Sequence, residues 1–254
     1  MRVLVTGGSE GIGFAVAAQA VNAGATVEIW ARREGRLRAA AQALGPSVTW
    51  QAVDVSDAAA VRSAAAKSAP PDRLFHCAGF AVAQFIDQVG DEDVAGLVRT
   101  NVTGPIHVAR AFAPGMAERR SGAIVLTASD LGYVGLFGWS VYAATKHAVV
   151  GFASALRNEL KPFGVSVQAL CPPATQTPGF DKENATKPAS VRKAEEAGGV
   201  MSAEAVAAHA WSRCGKGGLH LIPNRTSRLL FALSRVSTDL AHSFVKAPGP
   251  GAPR

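Results

Sequence analysis

Cysteine is scarce: Cys77, Cys171 and Cys214 are the only three in 254 residues, and none is spaced as a metal pair or a disulfide framework. Free thiols suit a reducing compartment, and neither a metal site nor a stapled secreted scaffold is expected. Aromatic residues make up 7% of the chain, and no RNA-binding aromatic signature, zinc-finger spacing or basic-helix run occurs. No uncharged apolar run approaches the length of a membrane span. Met1-Arg2 leads straight into Val3-Leu4-Val5 without the pattern of a secretory leader. These absences predict a cytoplasmic protein with no nucleic-acid partner. Charged residues are also few, 18% against 48% hydrophobic, which suits a large core rather than disorder. The charge that is present leans basic, with a net +7, and the mean hydropathy is +0.14. Scattered as it is, the positive charge fits a phosphorylated cofactor or an anionic lipid surface.

What is present is a rhythm. Short β-branched runs near 2–6, 26–31, 48–53, 73–77, 123–128, 165–170 and 219–222 alternate with helical patterns near 11–23, 34–44, 57–68, 91–118, 140–161 and 202–212. Such alternation predicts right-handed βαβ units. The fold class is therefore α/β: a Rossmann-type, doubly wound, mostly parallel seven-stranded sheet in a single domain over residues 1–222. Residues 172–200 read as a long connection, and connections of that length in a compact domain are lids or binding loops. A C-terminal amphipathic helix over 223–246 and a disordered Pro/Gly-rich tail over 247–254 complete the expected organisation.

Val3-Leu4-Val5-Thr6-Gly7-Gly8-Ser9-Glu10-Gly11-Ile12-Gly13 carries a strand into a helix through glycines. Glycines permit positive φ and let backbone N–H groups approach a pyrophosphate at a helix N-terminus. At the first βα turn, this spacing points to a dinucleotide, with Gly7, Ser9, Glu10, Gly11 and Ile12 around it. Gly7 to Gly11 also satisfies the nucleophile-elbow pattern of α/β-hydrolases, but Asp239 and His242, the acid and histidine that follow in order, lack strand ends to sit on. After the second strand stand Arg32, Arg33 and Arg36, with no acid at the strand tip. Arginine there pairs with the 2′-phosphate of NADP, where an acid would take the 2′-hydroxyl of NAD. Asp54, followed by Val55, is positioned to meet the adenine or to cap a helix.

Tyr142 and Lys146 lie four apart, on one helix face. A neighbouring ammonium lowers a phenol's pKa and fits it for proton transfer. The pair is common by chance, but Ser129 stands thirteen residues earlier at a strand end, where parallel sheets gather their chemistry and a hydroxyl can polarise a carbonyl. Together these residues resemble the short-chain dehydrogenase/reductase family over roughly residues 1–212. The resemblance adds Asn101, which would hold a proton-relaying water for Lys146, and Ala78 and Gly79, which would line the adenosine. His76-Cys77 stands where the family usually has Asn-Asn.

The run Pro172-Pro173-Ala174-Thr175-Gln176-Thr177-Pro178-Gly179-Phe180, continued by Glu183-Asn184 and Thr186-Lys187-Pro188, is similar to that of the 3-ketodihydrosphingosine reductases. That resemblance implies NADPH-dependent reduction of the 3-keto group of a long-chain sphingoid base. In it Pro172 borders the cofactor and Thr177 anchors the nicotinamide carboxamide. It also implies a homodimer or homotetramer built through the helices of Asn101 and Tyr142. A generic 3-oxoacyl or small-ketone reductase shares the fold and stays open, as does a non-catalytic NADP(H) sensor. Leu229, Leu233, Val236, Leu240 and Phe244, interspersed with Arg225, Arg228, Arg235 and Lys246, form the amphipathic pattern. Such a helix would lie on the cytoplasmic membrane face, cover the cleft or meet a second subunit. Phe137 and Trp139 are candidates for an apolar substrate channel.

Overall fold

Alternate residues of the first strand face opposite ways, and both sides are apolar. Val3 and Val5 are buried in one core while Leu4 is buried in the other, the pattern of a strand covered on both faces. A computed structural model describes residues 1–243, apart from the side chains at 186, 196–198, 238 and 242. The expected tail 247–254, and the end of the C-terminal helix at 244–246, lie outside the described residues.

Seven strands form the main sheet: β1 (Arg2–Thr6), β2 (Thr26–Ala31), β3 (Val48–Ala52), β4 (Arg73–His76), β5 (Gly122–Thr127), β6 (Val165–Leu170) and β9 (His220–Leu221). They pair in the order β3-β2-β1-β4-β5-β6-β9, and every pairing is parallel. One face buries Val27, Ile29, Phe75 and Val125 against α1 (Gly11–Asn22), α2 (Glu34–Leu44) and α9 (Ala203–Arg213). The other buries Leu74, Ile124 and Leu126 against α3 (Ala58–Ala65), α5 (Gly104–Glu118) and α6 (Ser140–Leu160). Each large side chain so removed from water stabilises the fold by about 1.5–3 kcal/mol. The strand order reverses between β1 and β4, opening the crevice in which such sheets bind ligands.

Three elements differ from the sequence reading. The helical pattern over 91–118 is not continuous: α4 (Asp91–Leu97) passes through one π-helical stretch, Val98–Thr103, before α5. That inserted turn carries Asn101 inward to 2% exposure, and π-turns of this kind occur mostly at functional sites. The connection 172–200 is not irregular. Thr177 caps α7 (Pro178–Thr186), accepting from the Phe180 N–H at 3.1 Å, and α8 (Ala189–Gly198) follows. Short strands β7 (Thr175–Gln176) and β8 (Met201–Ser202) pair and close the excursion on itself. The C-terminal helix breaks at Ser237, whose extended backbone (φ −157°) separates α10 (Arg225–Val236) from α11 (Thr238–Ser243).

The first βα turn depends on the missing side chains of its glycines. Gly7 has φ +68°, and a Cβ on it would lie 2.7 Å from the Ala78 nitrogen. Gly13 packs against the Gly7 carbonyl too closely for any Cβ, so α1 starts hard against the end of β1. Gly13→Ala is therefore expected to lose about 1–3 kcal/mol of stability, read as a lower urea midpoint at unchanged slope. An unaltered midpoint would contradict this packing.

Candidate active site

The carboxyl ends of β1, β4, β5 and β6 open into one cavity of about 1560 Å³. Ordinary small-ligand pockets are about 300–1,000 Å³, so this one has room for a dinucleotide beside a second ligand. Along its floor run Gly7, Ser9, Glu10, Gly11 and Ile12, all placed there by the β1–α1 turn. Gly11 has φ +59° and faces the Thr177 methyl. Unlike α3, which Asp57 caps, α1 receives no side-chain cap from Glu10. Its first-turn N–H groups are left for an anion, and the glycine cradle fits the pyrophosphate of a nicotinamide dinucleotide.

Glu10 is engaged elsewhere. Its carboxylate pairs with Arg33 at 2.9 Å and also with Arg36. Arg32 and Arg33 line the cavity; Arg36 does not, which corrects its expected place on the cofactor. Its charge is used to hold Glu10. Arg32 enters no ion pair among the described residues and is the arginine best placed for a 2′-phosphate. Asp54 lines the cavity beside Val55 and accepts from the Ser56 N–H (2.9 Å) and hydroxyl (2.7 Å). It caps no helix, since Asp57 performs that task. Ala78 and Gly79 line the same wall. A Cβ on Gly79 would stand 3.0 Å from Asn101 Oδ1. His76, departing from the family's asparagine, is buried and neutral, held down to about 3 by burial and then by Lys146. It bonds Thr6 Oγ1 at 3.0 Å.

Tyr142, Lys146 and Ser129 meet deeper in the cavity. Lys146 donates to the Thr127 carbonyl at 2.9 Å, and its ammonium stands 5.4 Å from the Tyr142 ring centre. Burial lowers it to about 8, so it stays mostly charged at neutral pH. Asn101 lies just behind, donating to the Phe80 carbonyl (2.8 Å) and the Thr145 hydroxyl (3.3 Å) and accepting from the Phe80 N–H (3.1 Å). It is not itself on the cavity wall. Pro172 and Thr177 line the cavity from the β6 side, and the Pro172 carbonyl accepts the Asp130 N–H at 3.0 Å. Thr177 accepts as a cap, and its hydroxyl hydrogen is still able to donate.

The expected net lowering of the Tyr142 pKa is not met: the pull of Lys146 toward the phenolate is outweighed. Burial pushes the phenol well above its usual value, Glu183, Asp130 and Glu195 push it further, and the Ser129 hydroxyl pulls down. The resting residue is a neutral phenol, a proton donor rather than an acceptor.

Sequence reasoning missed the residues that set this balance. Asp130, next to Ser129, receives the Ser129 hydroxyl at 3.0 Å and that of Ser227 on α10 at 3.4 Å. Lys187 is buried between Glu183 (3.9 Å) and Glu195, with its ammonium 5.0 Å from the Trp139 ring and 4.6 Å from the Phe180 ring. This buried ion cluster fastens α7 to α8 over Tyr142. Glu183 stood within the loop motif, but only the folded lid brings it near the phenol.

Asp130 is pushed up to about 6, by burial foremost, against the hydrogen bonds from Ser129, Leu131 and Ser227. An acid whose folded pKa is raised binds protons more tightly when folded. Stability therefore falls as pH climbs from about 4 to 6 and stays reduced above. Asp130→Asn is expected to raise Tm at pH 7.5, by about 2–4 °C per kcal/mol relieved, with the gain vanishing as pH falls toward 4. Thermal scans at the two pH values check this; an equal or lower Tm at pH 7.5 would count against a buried charge.

The sequence pattern described as short chain dehydrogenase matches residues 1–188. A 3-ketodihydrosphingosine reductase of Bos taurus is 36% identical over 218 residues, 81% of this chain and 66% of the relative. A 3-dehydrosphinganine reductase of Danio rerio is 35% identical with the same coverage. The chain thus spans just under two thirds of the length of these curated relatives. Among solved structures, a short-chain dehydrogenase from Sphingobium yanoikuyae in complex with NADPH matches with a TM-score of 0.79 at 28% identity, over 98% of each chain. One from Streptomyces avermitilis matches at 0.82 and 26% identity, over 95% of this chain and 94% of that one. Strand order, cleft and sequence pattern agree, and the chain belongs to the short-chain dehydrogenase family.

Proposed function

We propose that this chain reduces the 3-keto group of a long-chain sphingoid base to the alcohol with NADPH. The observation that carries the reading is Tyr142, a half-buried phenol that keeps its proton, beside Ser129 and Lys146 in a cavity large enough for cofactor and lipid. A bound nicotinamide supplies the hydride. Ser129 orients the carbonyl oxygen, and Tyr142 gives it the proton as negative charge develops there. Lys146, charged and anchored on Thr127, stabilises the phenolate left behind, and Asn101 holds the relay that returns the proton. Arg32 at the β2 tip supports the phosphorylated cofactor, as do the solved relatives that hold NADPH or NADP+.

Two features favour a long apolar chain over a small ketone. Trp139, Val191 and Ala83 form an apolar cluster with Phe85, Leu136 and Phe137 packed on it, extending from the Tyr142 ring (5.3 Å to Trp139). Leu229, Leu230 and Leu233 of α10 continue the apolar wall at the mouth. The names of the curated relatives point to the same substrate. The deciding experiment measures NADPH and NADH consumption with 3-ketosphinganine and with a short β-keto ester. NADPH with the sphingoid ketone should be strongly preferred, and Tyr142→Phe should lose about 10²–10⁴ in turnover while still binding NADPH. Preference for the ester would transfer the chain to the generic ketone reductases. Full activity of the phenylalanine variant would remove Tyr142 from the chemistry.

We further propose a peripheral contact of α10 and α11 with the cytoplasmic membrane face. No helix among the described residues is long and apolar enough to cross a membrane. Yet Leu229, Val236 and Leu240 are exposed at 58%, 81% and 42%, with Arg225, Arg228 and Arg235 among them, a pattern suited to an anionic lipid surface. Association into a homodimer or homotetramer would use the helices of Asn101 and Tyr142, where Val98 is left 42% exposed. Flotation with vesicles containing anionic phospholipid is expected to carry the protein. Val236→Glu with Leu240→Glu should cut the bound fraction several-fold, and equal flotation of both forms would refute the contact.

A further inference from the structure

On the substrate side of the cleft one carboxylate, Asp130, has no cation of its own among the described residues, although Lys146, Lys182 and Lys193 also line the cavity. Three carboxylates act on the Tyr142 phenol: Glu183, Asp130 and Glu195. Lys187 sits between Glu183 and Glu195. Asp130 belongs to none of the ion pairs among the described residues. Two hydroxyls and the Leu131 N–H serve it, and the Ser227 contact at 3.4 Å is long for an O–H···O bond. A half-buried carboxylate held by hydrogen bonds alone, with no cation, is costly, and a cation brought close to it recovers the loss. The position is also well defined. The Asp130 N–H is tied to Pro172 and its carboxylate to Ser129, one hydrogen bond from the hydroxyl that orients the substrate carbonyl.

We propose that Asp130 is the counter-ion for a cationic group on the carbon next to the substrate's carbonyl, so that the site selects α-amino ketones over plain ketones. The inference rests on the sphingoid reading and deepens it, because a 3-keto sphingoid base carries an amino group, an ammonium at neutral pH, beside its ketone. Counting protons leads to the same arrangement. Ser129 has one hydroxyl hydrogen, and it is directed to Asp130 Oδ1. An ammonium docked on that oxygen replaces the donor and releases the Ser129 hydrogen to the carbonyl. A ketone without the amine must compete with Asp130 for it. Amine recognition and carbonyl orientation are thereby one event. Lys187 does not compete for the same oxygen, since its partners are the two glutamates and the aromatic rings.

The test uses the full chain with NADPH. Initial rates are measured on 3-ketosphinganine and on its des-amino analogue, the 1-hydroxy-3-ketone of equal chain length. Wild type and Asp130→Asn are compared, with NADPH fluorescence as the check of folding. Wild type should favour the amino ketone in kcat/KM by about tenfold or more, the effect of one charge-assisted hydrogen bond. Asp130→Asn should bring that ratio to within about twofold of unity, mainly through KM. A wild type that reduces both ketones equally well overturns the inference and leaves the sphingoid reading standing. A variant that keeps the wild-type ratio overturns it too. A wild type inert on both ketones but active on a short β-keto ester overturns the reading and the inference together. Should the variant fail to fold, the wild-type comparison decides alone.

Discussion

The cleft turns on an ammonium kept charged where burial works against it. Lys146 is almost fully enclosed, and burial lowers its pKa to about 8. The Thr127 carbonyl, presented by the last residue of β5, receives it at 2.9 Å. That contact requires the strand to end there, α6 to lie across the end, and the sheet to be parallel so that its carboxyl ends open on one side. The two cores on either face of the sheet hold those ends in place. Small residues do the rest where elements must come close. Gly79 gives Asn101 and Lys146 their room, and Gly132 lets its loop pass close to the Lys146 carbonyl.

Much of this was legible because its signals are local in sequence. The glycine turn, the Tyr142–Lys146 spacing and Ser129 at a strand end are short patterns whose meaning does not depend on distant partners. The sheet followed from alternation of apolar runs, since strands buried on both faces leave that trace. What stayed hidden depends on long-range meetings. Asp130 acquires its character from burial and from Ser227, 97 residues away. The Lys187 cluster needs α7 and α8, and charged, small-residue sequence over 172–200 lacks the apolar periodicity that announces helices. Thr177-Pro178 was the one local cue, a cap followed by proline at the first helical turn. The π-turn at Asn101 and the break at Ser237 lie inside stretches that read as single helices, and neither carries a proline or glycine of its own to mark it.

The direction of Tyr142's shift separates two roles that a sequence motif joins. A phenol paired with an ammonium was expected to sit nearer its phenolate. In the structure, burial and three carboxylates outweigh the lysine, whose ammonium lies 5.4 Å from the ring centre. The shift keeps the resting phenol protonated but makes it the weaker acid, so its proton leaves only as charge builds on the carbonyl oxygen. The phenol arrives protonated, and Lys146 acts on the phenolate only as it forms. Electrostatic help given to the product of proton transfer, rather than to the resting state, lowers the barrier without altering what is bound beforehand.

The two sides of the cavity handle charge in opposite ways. Toward the cofactor, Glu10 ties down Arg33 and Arg36 and leaves Arg32 unpaired, so positive charge remains for a phosphate. Toward the substrate, Lys187 is engaged by its glutamates, and Asp130, left without a cation among the described residues, is the place proposed for an ammonium. The imbalance at Asp130 is half-buried and costs stability, whereas Arg32 is exposed and costs little. The scaffold can carry that cost because its cores are large. A protein optimised for stability alone would have paired Asp130 with a lysine of its own, and would then have met the proposed amino ketone with a neutral wall.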